Sequence, residues 1–182
     1  MDSRLKDRLV ITRTTPEWCA VDTGGVFIFL FLTSLHTDWC DELSDALREA
    51  ASRSHSGRVP VLSVFRLDKR YPFDVGFDAN LPELGAKLAS IAPLIEASSV
   101  VLDFNGLLAF TWKAALRNLN TLVGATYPAR FHSSLVSGVR WLRGHVPASR
   151  VASVRHYVDA VEQMKDSLGC DATPIPKRAT RR

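Results

Sequence analysis

Seven consecutive apolar residues, Val26-Phe27-Ile28-Phe29-Leu30-Phe31-Leu32, set the strongest limit on what this chain can fold into. A helix crossing a membrane needs roughly 20 such residues. This run is short, β-branched and aromatic, so it reads as a buried strand. Thr23-Gly24-Gly25 joins it to another apolar segment, Glu17 to Asp22. Paired glycines between strand-like runs signal a hairpin, because glycine accepts the positive φ of a tight turn. A shorter strand is possible before it, at Leu9 to Thr12.

Beyond the hairpin, helical and strand-like segments alternate. The spacing of Trp39, Leu43, Ala46, Leu47 and Ala50 predicts a helix over 38–53, with Thr37 or Asp38 as its N-cap. Asp38, Asp41 and Glu42 fall in its first turn, where the helix dipole favours negative charge. Val59 to Phe65 follows as a buried strand with Pro60 near its start, and residues 66–80 form a polar connection. A helix over 81–97 would carry Leu84, Leu88, Ile91, Leu94 and Ile95 on one face, kinked or divided at Pro93. Ser99 to Phe104 reads as the central strand, and Asn105-Gly106 turns the chain into a helix over 107–123. Ala129 to His132 is a short strand. Ser133 or Ser134 then caps a helix bearing Leu135, Val139, Trp141 and Leu142, and a last helix spans about 148–168, closed by Gly169. The order β-β-α-β-α-β-α-β-α-α implies an α/β fold. A single mixed sheet, an N-terminal hairpin followed by mostly parallel strands, is flanked by helices, with an extra helix at the C-terminus.

A chain of 182 residues suits one domain, expected over 1–169 with its core at about 17–144. Residues 170–182 hold two prolines and four basic residues, the composition of a disordered tail. The polar N-terminus lacks a signal-peptide pattern, and Cys19, Cys40 and Cys170 form no disulfide framework, so a cytoplasmic setting is expected. Arginine outnumbers lysine 17 to 6, which hints at a bacterial genome rich in G and C. The net charge of +4 is uneven: residues 1–129 carry 13 basic and 15 acidic side chains, and 130–182 carry 10 and 4. With the folded body near neutral, no nucleic-acid partner is expected.

Three phrases carry a family resemblance across roughly residues 17–144. Val59–Phe65 is followed by Tyr71-Pro72. Val100-Val101-Leu102-Asp103-Phe104 runs into Asn105-Gly106-Leu107 and an alanine-rich helix. Tyr127-Pro128-Ala129-Arg130-Phe131 leads into serine and a helix ending in Trp141-Leu142. In these the chain resembles a group of bacterial proteins with a SpoIIAA-like fold, distant cousins of the STAS domains of sulfate transporters and anti-sigma-factor antagonists. The resemblance implies a non-enzymatic regulatory or binding domain whose partner is another protein. True antagonists place a phosphorylatable Ser or Thr in the turn after the central strand. This chain reads Phe104-Asn105-Gly106-Leu107-Leu108 there, so that site does not carry over.

The densest group of reactive side chains is His36-Thr37-Asp38-Trp39-Cys40-Asp41. His36 and Cys40 stand four apart, a spacing that suits a metal on a helix, but a zinc site needs three or four protein ligands and no companion pair is evident. The group reads as a helix start with one half-buried cysteine. Asp103 sits where open α/β sheets place their ligand crevices, and equally where Asp bonds turn amides. His55, His132, His145 and His156 share no context, and Trp39, Trp112 and Trp141 read as core. No P-loop, GxGxxG, GxSxG or HExxH occurs. No catalytic residue, metal ligand or cofactor is therefore expected. The expected binding rim is the polar edge formed by Asn105 and Gly106 with Thr33, Ser34 and His36 and the loop after Phe65. Two other classes stay open: a small-molecule or lipid sensor with a cavity lined by Phe104, Leu107 and Trp112, and a hydrolase or transferase using His36, Cys40 and Asp103.

Overall fold

A computed structural model describes residues 10–33, 35–68, 70, 81–147 and 152–169. Six strands form one sheet in sequence order: β1 (Val10–Thr14), β2 (Trp18–Asp22), β3 (Phe27–Phe31), β4 (Val59–Phe65), β5 (Ile95–Leu102) and β6 (Ala129–His132). The β1–β2 and β2–β3 pairs are antiparallel, and every pair from β3 to β6 is parallel. The α/β reading with one mixed sheet holds, and the short first strand is real.

Among the described residues, five α-helices accompany the sheet: α1 (Cys40–Arg53), α2 (Leu81–Ala89), α3 (Leu107–Leu122), α4 (Leu135–Arg143) and α5 (Val154–Ser167). From β3 onward each crossover steps to the next strand in the same direction, so right-handed connections carry α1, α2 and α3 to one face. The alternation of side chains along the strands shows this directly. Phe27, Phe29 and Phe31 pack with Leu43, Leu47, Trp112 and Leu116, whereas Ile28 and Leu30 pack with Val139, Tyr157, Val161 and Met164 of α4 and α5. The sheet is therefore covered on both faces, which is why β3 and β4 are apolar at nearly every position.

One boundary differs from expectation. The helix predicted over 81–97 stops at Ala89. A 3₁₀ turn at Ala92–Leu94 follows, and Ile95, Glu96 and Ala97 already belong to β5, which ends at Leu102 rather than Phe104. Pro93 cannot continue the α-helical hydrogen-bond ladder, and it lies within that 3₁₀ turn. Ile95 then serves the same buried face from a strand that it would have served from a helix, so its apolar character does not distinguish the two. Between Val59 and Val61 the β4–β5 register slips, with Val59 opposite Ile95 and Val61 opposite Ser98. Pro60, which lacks an N–H, lies between them.

The start of α1 also differs. A 3₁₀ turn at Thr37–Trp39 precedes it, and neither Thr37 nor Asp38 acts as a side-chain cap. Ser134 caps α4 through the amide of Ser137, as expected. The last helix begins at Val154, capped by Ser153, later than the predicted 148. The proposed tail at 170–182 and most of the 66–80 connection lie outside the described residues.

Candidate functional site

Parallel strands bring their C-terminal ends to one edge of the sheet, each feeding the loop before the next helix. Backbone bonds hold these loops side by side. The amide of Asp103 donates to the carbonyl of Phe65 at 2.8 Å, that of Arg66 to Phe31 at 2.9 Å, and that of Asp68 to Leu32 at 3.4 Å. The Arg66 guanidinium lies 3.4 Å from the Asp103 carboxylate and bridges the loops after β4 and β5. The segments after Phe31, Phe65 and Leu102 thus form one continuous rim.

The expected rim residues are not alike. Asn105 and Gly106 are exposed. Gly106 has φ +84° and ψ −156°, a backbone conformation essentially confined to glycine, and an added Cβ would meet nothing within 4 Å. Thr33 is only 3% exposed, so its side chain is part of the interior and not of the surface. Ser34 lies outside the described residues. His36 is half-buried, its ring 4.7 Å from that of Trp39.

Two residues outside the expected rim dominate this edge. Leu107 and Phe110, one turn apart at the start of α3, are 81% and 71% exposed. Ala114, a further turn along, is also exposed. The buried face of the same helix is Trp112, Leu116 and Leu119.

The reactive cluster at 36–41 is arranged for packing. The Cys40 thiol is fully buried and points at the backbone carbonyl of His36, 3.8 Å away, not at its ring. Burial pushes its pKa up to about 11, with smaller contributions of both signs from Lys87, Asp41, Glu83 and Asp38, so the reactive thiolate is suppressed near neutral pH. Asp103 is half-exposed and engaged with Arg66. Among the described residues no group of three or more His, Cys, Asp or Glu could hold a metal ion. His132 has its pKa lowered, first by burial and then by Arg130 and Lys113. The Trp141 ring lies 4.1 Å from that of His145, tilted by 36°, and 5.8 Å from that of His132. Trp112 is wholly buried against Phe65 and Phe104, while Trp39 and Trp141 are half-buried.

A concavity does exist beside the sheet, though not where Phe104, Leu107 and Trp112 were expected to line it. None of those three borders it. A partly open cavity of about 110 Å³ lies between β3–β5 and helices α1 to α3, bounded by Phe29, Phe31 and Phe65, by Leu43 and Leu47, and by Leu116 and Leu119. Its polar lining consists of Ser63, Ser98, Asn120 and Tyr127, and no charged residue borders it. No described helix is long and apolar enough to cross a membrane. Compared with protein-family models, with curated proteins and with solved structures, the chain finds no match in any of the three.

Proposed function

We propose that the chain is a non-catalytic regulatory module that binds another protein through the rim at the C-terminal ends of β3, β4 and β5 and the first turns of α3. The observation that carries this reading is the exposed pair Leu107 and Phe110. Large apolar side chains clustered beside polar turns are a recurrent mark of protein contact surfaces, where aromatic residues supply much of the binding energy. The fold needs neither of them: Trp112, Leu116 and Leu119 already bury the opposite face of α3. The resemblance to SpoIIAA-like regulatory domains points the same way, since their signalling turn follows the equivalent strand. The partner would offer an apolar surface to Phe110 and hydrogen-bonding groups to the Asn105 turn.

The test is Phe110→Arg combined with Leu107→Ser. Gly106→Arg is less suitable, because a side chain at that φ and ψ strains the turn itself. The tagged wild type is used to isolate a partner from the host, and affinity is then measured with both purified proteins. The double variant should keep its melting temperature and bind at least tenfold more weakly, as expected when an aromatic anchor worth about 2 kcal/mol is lost. A folded double variant with unchanged affinity would overturn the rim as the contact surface.

A further inference from the structure

The geometry points to a ligand site in the cavity beneath α1 and α3, and we infer that it takes a neutral, single-ring aromatic molecule carrying one hydroxyl group. Size sets the first limit. A volume of about 110 Å³ is below the roughly 150 Å³ of a dry apolar cavity known to accept benzene, so one six-membered ring is the largest guest it can take. It is well short of the 300 Å³ or more that a drug-sized or lipid ligand requires. The walls set the second limit. Phe29, Phe31 and Phe65 present three rings, with Phe31 and Phe65 stacked at 4.8 Å, and aromatic surfaces favour a flat ring as guest. No Lys, Arg, Asp or Glu lines the space, so a charged ligand would lose its hydration without compensation.

Polar chemistry sets the third limit. Ser98 is only 8% exposed and borders the cavity from β5, next to Val100 on the same face. Ser63 sits nearby on β4: it pairs with Val100, and Ser98 pairs with the neighbouring Val61. Neither hydroxyl makes a hydrogen bond among the described residues, and neither does that of Tyr127. Neither serine hydroxyl is sealed off in the way that Ser99 Oγ is, so both stay open to the cavity and can bond a guest. Two serines facing an apolar cavity without partners are what a guest with a hydroxyl would satisfy. This inference is independent of the rim, and its failure would leave that reading untouched.

Phenol and benzene are the probes, titrated into the full-length protein and followed by amide chemical shifts in two-dimensional NMR. Phenol should bind saturably, shifting residues of β4, β5 and α3 and raising the melting temperature. It should bind more tightly than benzene. Ser98→Ala should weaken phenol about tenfold while leaving benzene unchanged, because only the hydroxyl contact is lost. Ser63→Ala provides a second, equally small change should the first disturb folding. Leu119→Phe, which extends a side chain into the space, should abolish both. If benzene binds as well as phenol and neither serine matters, the cavity is a packing defect and the proposal fails. It fails equally if neither probe saturates.

Discussion

At the scale of single residues, Gly138 marks a close approach between α4 and β5. A Cβ at Gly138 would stand 2.7 Å from Val101 Cγ2 and 2.8 Å from Ser99 Oγ, both on the strand beneath it. Gly138 is therefore glycine because the helix lies against the sheet and not because of its backbone angles. Two effects compete in Gly138→Ala. Alanine favours the helix by about 1 kcal/mol. Overpacking a filled interface costs about 1–3 kcal/mol, and neither contact can swing away, since Val101 and Ser99 are both fully enclosed. Both contacts fall below 3.0 Å, which puts the overpacking at the upper end of its range and leaves a net loss of about 2 kcal/mol, or several degrees in melting temperature. Thermal melts of the two proteins decide it, and an unchanged or higher midpoint would mean that α4 stands farther from the sheet. The spacing of Leu135, Val139 and Leu142 marks a buried face in the sequence, but nothing there marks Gly138, because closeness of approach leaves no periodic trace. Leu107 and Phe110 were more accessible to reasoning. At about 100° per residue, they lie roughly 140° and 200° around the helix from Trp112, so an apolar face centred on Trp112 already turns them outward.

At the scale of elements, the strands buried on both faces were the most legible: β3 and β4 lie within a residue of their expected limits because a short β-branched run between turns has few alternatives. The region from Leu81 to Ala97 was least legible. Leu84, Leu88, Ile91 and Ile95 keep a helical step, yet only the first two lie in α2, and the chain straightens after Pro93. A helix and a following strand that feed the same core can share one apolar rhythm. β5 is nevertheless central, paired with β4 on one side and β6 on the other, and Val101 is 1% exposed beneath Gly138. Val101→Asp should therefore be severe. A carboxylate there faces apolar neighbours, and burying it unpaired costs several kcal/mol against a total stability of about 5–15 kcal/mol. Circular dichroism melts and yield of monomeric protein measure the outcome. A cooperative melt near the wild-type midpoint would show that this face of β5 is open to water.

At the scale of the whole molecule, the two faces of the sheet are closed by different parts of the chain. The α1–α3 layer comes from the crossovers that build the parallel strands, so it cannot be removed without dismantling the sheet. The α4–α5 layer comes after the last strand, and α5 is the outermost piece in sequence. Its role can be weighed by shortening the chain in two places. Helix α5 buries Tyr157, Val161 and Met164 against the side of the sheet that carries Ile28, Leu30 and Leu62, with Leu168 just beyond it. The Tyr157 hydroxyl accepts from the amide of Ala152 at 2.9 Å and closes the turn into the helix, while Arg70 donates to the carbonyl of Leu168 at 3.2 Å and ties the far end to the rest of the fold. Each large side chain buried is worth about 1.5–3 kcal/mol, so losing four of them approaches the stability of an ordinary domain. A chain ending at Pro147 should consequently lose its cooperative melt and bind a hydrophobic dye through the uncovered sheet. A chain ending at Gly169 keeps every one of these contacts and loses only a proline-containing, basic segment with little to bury, so it should melt within a few degrees of full length. Calorimetry on the two truncations separates the cases. A cooperative transition in the Pro147 chain would make α5 an accessory to a self-sufficient sheet, and a large fall in the Gly169 chain would place residues 170–182 among the contacts that hold the fold.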